Sequence, residues 1–489
     1  MDFDRSRLIV AALRGGSGKT VVSLGLAAAW KQRFGARVIP FKKGPDYIDA
    51  GWLGIAAGHS CYNLDPFLMG PEDIMRSFLR RSGLGDVSLI EGNRGLYDGV
   101  DAAGSYSTAE LAKLLRCPVV LVLDATKVTR TAAALVLGCQ VLDPDVHIAG
   151  VILNRVAGKR HETVLRESIE QRCCIPVLGA VPKGGRDFFP ERHLGLVPPQ
   201  ESEDIAGAVS FAADVMTDCL DLEALWKIAG SAGSIGRLPH AAEAEKARTA
   251  PVRIGVVRDA AFQFYYPENL EALEDRGAVL VEISSFENVP LPDVDALYIG
   301  GGFPESHLEV LSGNCAFRES IRSAIEGGMP VYAECGGLMF LCRGIHHRER
   351  FYPMAGVFPF GIVLGPKPQG HGYTVMECVG ANPFFERGAV MRGHEFHYSR
   401  ITEEPDPGSY PFVFKLKKGY GIVAGWDGIC YKNALAGYSH IHAVGNDNWA
   451  EAMVAAARFY KRDKFGMSAG SALEPDRVLP EAQGHSTVC

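Results

Sequence analysis

Two consecutive α/β domains are what this sequence predicts, and three observations predict them. Short β-branched runs recur at helix-length intervals in both halves of the chain. A glycine-rich phosphate loop, Arg14-Gly15-Gly16-Ser17-Gly18-Lys19-Thr20, follows the first run, and a cysteine among small residues, Ala333-Glu334-Cys335-Gly336-Gly337, follows a run in the second half. At 489 residues the chain also exceeds one ordinary core, because single cores stop growing near roughly 250–300 residues.

In the first half the runs lie at 8–12, 38–41, 87–90, 119–123, 149–153 and 176–179. Continuous apolar runs separated by helix-length segments indicate a parallel sheet covered on both faces. Such sheets bind ligands at the carboxyl ends of their strands. Across 227–250 the composition shifts to Ala, Gly, Ser and charged residues, which predicts a linker between a first domain at 1–226 and a second at 251–462. Strand-like runs resume at 252–257, 296–299 and 330–333, and 463–489 lacks periodicity and reads as a disordered tail.

Composition excludes several function classes. Net charge is −7 with 50 basic and 57 acidic residues well mixed, so no nucleic-acid footprint is expected. The twelve cysteines contain no C-x-x-C pair, and the adjacent Cys173 and Cys174 suit neither a metal site nor an easy disulfide. A reduced, cytoplasmic compartment is expected. Acidic residues lead straight into the first apolar run, unlike a signal peptide, and no run approaches the roughly 20 apolar residues of a membrane helix.

The phosphate loop is a compact variant: Leu13 stands where the common motif has a glycine. Its physics survives, since the N–H groups of Gly15, Gly16, Ser17 and Gly18 can curl around phosphate oxygens, Lys19 can reach the β- and γ-phosphates, and Thr20 can ligate Mg²⁺. ATP and Mg²⁺ are the expected cofactors. Asp46 and Asp49 follow the second run, and Glu91 and Asp98 follow the third. Carboxylates beside a triphosphate need a cation to balance them, which assigns Thr20, Asp46 and Glu91 to the metal. Asp49 either serves catalysis or caps a helix beginning at Ala50; Asp98-Gly99 is either catalytic or a turn. Asn154, ending the fifth run, either meets the adenine edge or forms a turn.

Cys335 is expected on a sharp strand-to-helix turn, where small neighbours relieve crowding and the helix N-terminus lowers the thiol pKa. Gly301 and Gly302 of the upstream glycine loop, with Gly336, offer N–H donors for an oxyanion hole. Two histidine clusters compete as base, His394/His397 and His440/His442. His440 is favoured because it follows a short late strand, similar to the base of class I glutamine amidotransferases. Those enzymes place a glutamate two residues on, where this chain has His442, so the group orienting His440 is left open. A nucleotide site and a nucleophile in one chain point to a synthase that activates a carboxylate with ATP and amidates it with ammonia from L-glutamine.

Jointly, the segments 41–49, 63–66, 91–99, 264–270, 300–302, 333–339, 393–398 and 440–442 resemble the cobyrinate a,c-diamide synthase family over nearly the whole chain. The resemblance implies a phosphate-loop parallel-sheet ATPase-like domain followed by a class I-like glutamine amidotransferase α/β domain. It also implies acyl phosphates on the a- and c-side-chain carboxylates of a tetrapyrrole, cobyrinate or hydrogenobyrinate. By the resemblance, Cys335 and His440 would serve the glutaminase, and Asp49 and Asp98 the substrate carboxylate or catalysis; Arg94 and Tyr47 are expected to bind the substrate. Asn93-Arg94 departs from the usual apolar residues and resembles the branch that amidates sirohaem or nickel sirohydrochlorin. Arg14 occupies the place of a signature lysine in related partitioning ATPases, which admits a homodimer or a solvated side chain. A switch ATPase of that type, and a carboxylase-like domain fused to an inert one, are the competing readings.

Overall fold

The computed structural model describes residues 5–184, 191–192, 195–202, 204–236 and 251–464. The expected tail from 465 onward, and 237–250 of the expected linker, lie outside the described residues.

Seven parallel strands form the first sheet: β1 (Arg7–Ala12), β2 (Val38–Lys43), β3 (Tyr62–Leu64), β4 (Val87–Glu91), β5 (Val119–Asp124), β6 (Ile148–Val156) and β7 (Val177–Pro182), in the order β3-β2-β4-β1-β5-β6-β7. Successive residues of β1 feed opposite layers, Ile9 and Ala11 one core and Leu8, Val10 and Ala12 the other, as burial on both faces requires. Only β3 has no counterpart among the sequence runs; three residues are too short to show a period. The chain leaves β1 toward β2 on one side and reaches β5 on the other, so the loops after β1, β2 and β4 converge at the reversal of strand order. Two helices matter to the site: α1 (Lys19–Phe34) follows the phosphate loop, and α2 (Ile48–Ala57) follows β2. The helix Leu222–Gly230 runs through the expected boundary at 226 and buries Ala229 in the first domain's core.

The second sheet has ten strands. Its first five, Ala278–Ile283, Val252–Val257, Ala296–Ile299, Val331–Glu334 and Ala434–Gly437, are parallel neighbours. The other five, Trp426–Tyr431, Phe412–Lys418, Gly370–Cys378, Val390–His397 and His440–Ile441, continue it antiparallel. The parallel α/β pattern read from the sequence therefore describes only half of this sheet; hairpins that lie one after another in the chain build the rest.

The two units meet along a polar seam. The Asn63 backbone N–H donates to Glu268 Oε1 at 2.9 Å, Tyr373 Oη donates to Asp65 Oδ2 at 2.7 Å, and Arg81 pairs with Glu271 at 2.6 Å. Among the described residues, no helix is long and apolar enough to cross a membrane.

Candidate active site

The phosphate loop joins β1 to α1 with Gly16 at φ 71° and Gly18 at φ 88°, left-handed conformations that glycine adopts without a Cβ clash. A Cβ at Gly18 would come within 2.2 Å of Asn154 Nδ2. That amide donates to Ser17 O at 2.9 Å, and Asn154 Oδ1 accepts from the Arg155 N–H. Asn154 thus braces the loop from behind, and the side chain expected at the adenine edge is engaged with protein on both of its polar atoms. Lys19 Nζ donates to Arg94 O at 2.8 Å and Arg14 O at 3.4 Å, and burial lowers its pKa. Arg14 reaches Asp124 at 3.3 Å with 73% of its side chain exposed, worth little in stability.

Behind the loop a buried charge cluster closes. Lys42, next to last in β2, lies 2.7 Å from both Asp49 Oδ2 and Glu91 Oε1. Thr20 Oγ1 donates to Glu91 Oε1 at 2.8 Å and to Asp49 Oδ2 at 3.3 Å. These pairs hold the Asp49 carboxyl below its usual range although burial opposes it. Helix α2 begins at Ile48, not Ala50, and Asp46 supplies the capping bond, accepting from the Asp49 N–H at 2.9 Å. Burial, with Asp49 next in size, raises the Asp46 carboxyl to about 7. Lys42 was absent from the sequence reading; it hides at the end of an apolar run, where a lysine with two acids downstream is the available signal.

Do these residues suit a divalent cation? Glu91 Oε2 is buried with no hydrogen-bond partner, an open oxygen beside a hydroxyl and two further carboxylates. Hydroxyl and carboxylate oxygens are the donors Mg²⁺ takes, and Mg²⁺ is commonly held by one or two carboxylates plus substrate phosphates; among the described residues no group of three or more acids, histidines or cysteines is arranged to hold a metal by protein ligands alone.

Arg94, at φ 51°, and Asp98 are exposed at the mouth of this centre. Asp98 Oδ2 accepts from the Gly95 N–H at 2.8 Å, forming the turn, while both side chains line the cavity described below.

In the second unit Cys335 sits at φ 49° and ψ −99° between the strand Val331–Glu334 and the helix Gly336–Leu341. That strained elbow is held by the Cys335 N–H donating to Gly437 O at 2.7 Å. The thiol pKa corrects the expectation: burial, and next Glu305, push it upward, so the short helix does not make the resting group a thiolate. Gly302 and Gly336 approach closely, the Gly302 nitrogen lying 3.1 Å from where a Gly336 Cβ would stand. A Cβ at Gly301 would fall 2.5 Å from His440 Cε1, so the glycine there also makes room for the imidazole.

His440 is buried, and its Nδ1 lies 3.6 Å from Glu334 Oε2. Glu334 is fixed by Tyr298 Oη at 3.0 Å, Tyr332 Oη at 3.3 Å and the Ile441 N–H at 3.1 Å. The carboxylate facing the histidine therefore comes from the residue before the nucleophile, a place the sequence reading did not consider. His442 turns away, 3.6 Å from Glu268 at the domain seam. His394 stacks on His440 at 4.9 Å, and burial pushes it well below the usual imidazole range, keeping it neutral. His397 Nε2 lies 3.5 Å from Glu395 Oε2, and both line the cavity.

Both centres open on one cavity of about 640 Å³, whose wall includes Asp46, Arg94 and Asp98 from the first unit and Cys335, Glu395 and His440 from the second. Tyr47 belongs to the shared wall. Its ring stacks on Phe264 at 5.1 Å, lies 4.5 Å from Tyr266 and 5.5 Å from the His440 ring.

Comparison with known proteins agrees with this division. Residues 8–193 match the CobQ/CobB/MinD/ParA nucleotide binding domain, and 253–448 match the CobB/CobQ-like glutamine amidotransferase domain. Cobyrinate a,c-diamide synthase of Magnetococcus marinus is 44% identical over 94% of this chain and 98% of its own length. The enzyme of the same name from Methanothermobacter thermautotrophicus is 41% identical over 91% of this chain and 98% of its own. With both halves matched and such relatives aligned nearly end to end, the chain is a glutamine-dependent amide ligase and belongs to the cobyrinate a,c-diamide synthase family.

Proposed function

We propose that this enzyme amidates the a- and c-side-chain carboxylates of cobyrinate or hydrogenobyrinate through acyl phosphates, with ATP as phosphoryl donor and glutamine as nitrogen source. One observation carries the reading: the acceptor loops with Arg94 and Asp98, and the nucleophile Cys335, face a single cavity. A carboxylate is a poor electrophile with a poor leaving group, and phosphorylation corrects both. The phosphate loop and Lys19 would bind the triphosphate, and Thr20, Asp46 and Glu91 would hold Mg²⁺, which supplies charge neutralisation on the phosphates when bound. Asp49, held by Lys42 and Thr20, would act on the acceptor carboxylate.

At the elbow, His440 takes the Cys335 proton as sulfur attacks the glutamine amide carbon. The oxyanion meets the Gly302 and Gly336 N–H groups. His440 then returns the proton to the departing ammonia, and water hydrolyses the thioester to glutamate. Ammonia attacks the acyl phosphate, and phosphate leaves.

Asn93-Arg94 favours a second reading, amidation of sirohaem or nickel sirohydrochlorin by the same steps, because an arginine there offers an extra peripheral acetate a bidentate partner. Mass spectrometry of products from cobyrinate and sirohaem offered side by side tests both. One or two amidations of cobyrinate are expected, and no product from either macrocycle refutes the proposal. Cys335→Ser should lower glutamine-dependent turnover roughly 10⁴-fold or more while leaving turnover with ammonia.

A further inference from the structure

Neighbouring lysines at the end of β2 have opposite fates. Lys42 is saturated by two carboxylates. Lys43 is equally buried, at 5% exposed, lines the shared cavity, and among the described residues makes no ion pair. Burial lowers its pKa, and the Asp65 carboxylate that opposes this already accepts from Tyr373 Oη and the Phe67 and Leu68 N–H groups.

Across the seam, Lys418 of the second unit also lines the cavity, its ammonium 5.2 Å from the Phe67 ring centre. Phe67 stacks on Tyr373 at 4.2 Å and meets Tyr106 edge-on at 5.5 Å, and both tyrosines face the cavity. Of the acids sharing the space, Asp46 accepts from the Asp49 N–H, Asp98 from the Gly95 N–H and Glu395 from the Tyr420 and Gly421 N–H groups, while Glu305 lies by the thiol. Three cations from two domains thus surround an aromatic wall.

We infer that Lys43, Arg94 and Lys418 form a carboxylate-anchor subsite that holds the non-reacting acidic side chains of a polycarboxylate macrocycle, with Tyr106 and Tyr373 against its apolar body. The ligand therefore lies across the domain seam, between nucleotide and thiol. A buried ammonium without a partner is costly, and a substrate carboxylate supplies the missing charge-assisted bond. This rests on the proposed function.

The test is steady-state kinetics with ammonia as nitrogen donor and cobyrinate or sirohaem as the varied substrate. Lys43→Gln and Lys418→Ala should each raise the macrocycle KM roughly tenfold to a hundredfold and shift the ATP KM less than about twofold. Lys418→Arg should restore most of the affinity. Lys418 is exposed, so its variants decide the question if Lys43→Gln fails to fold. An unchanged macrocycle KM in the Lys418 variant overturns the anchor alone. A wild-type enzyme forming no ADP with either macrocycle overturns the functional reading and the anchor together.

Discussion

At the phosphate-loop centre, Lys42, Asp49, Glu91 and Thr20 are joined by contacts of 2.7–3.3 Å, whereas at the elbow Cys335 and His440 are buried, with the Glu334 carboxylate 3.6 Å from the imidazole and no cation paired to it among the described residues. The first centre keeps charges standing and balances them internally. At the second, burial and next Glu305 raise the pKa of the Cys335 thiol. Phosphoryl transfer needs counter-charge in place before the nucleotide arrives, while a thiol left as thiolate would be open to oxidation between turnovers. Each centre's resting charge follows from what it must do first.

The largest test removes the carboxylate that faces His440. Glu334→Gln should reduce glutaminase kcat about 10²- to 10⁴-fold, with ammonia-dependent synthesis retained; glutamate release at the wild-type rate would mean that His440 needs no orienting acid. Next comes the cation of the other centre. Lys42→Met leaves the buried Glu91 and the partly buried Asp49 without their cation and should destabilise the first domain by about 3 kcal/mol, seen as an earlier urea transition, with Glu91→Gln added to it recovering part of the loss. Equal midpoints for wild type and Lys42→Met would show the cluster to be dispensable for folding.

The smallest effect is on pH. Burial raises the Asp46 carboxyl to about 7, so its folded-state pKa lies above the unfolded one. The stability it contributes is complete below pH about 4 and is lost as pH rises through 7. Metal ligation runs the other way, because it needs the carboxylate. The Mg²⁺ concentration for half-maximal ATP-dependent activity should therefore rise about tenfold per unit below pH 7, and Asp46→Asn should flatten that dependence. A wild-type curve already flat from pH 6 to 8 would refute the role.

The parts of each centre that travel in short contiguous strings were legible in the sequence. The phosphate loop, Glu91 at a strand end and the cysteine elbow each carry their chemistry within a few residues. What escaped was assembled from afar. Lys42 and Lys43 look like the polar end of a strand until Glu91 and Lys418 are brought to them. Glu334 escaped because the acid was sought after the histidine, and it reaches His440 only through the pairing of Val331–Glu334 with Ala434–Gly437. The antiparallel half of the second sheet escaped because its hairpins are broken by glycines and carry buried polar residues such as Glu395 and His397, which blur an alternating pattern.

Tyr47 gives the last consequence. It belongs to the loop that carries Asp46, yet its ring helps wall the chamber of Cys335 and His440. Asn63 N–H, whose residue also clasps Gly44 O and Asp46 O, anchors that loop to Glu268 of the other half. The two halves are therefore not interchangeable cassettes. A chimera that grafted the second unit onto a foreign first unit would lose the Tyr47 ring packed against Phe264, Tyr266 and His440, and with it the Asn63–Glu268 bond.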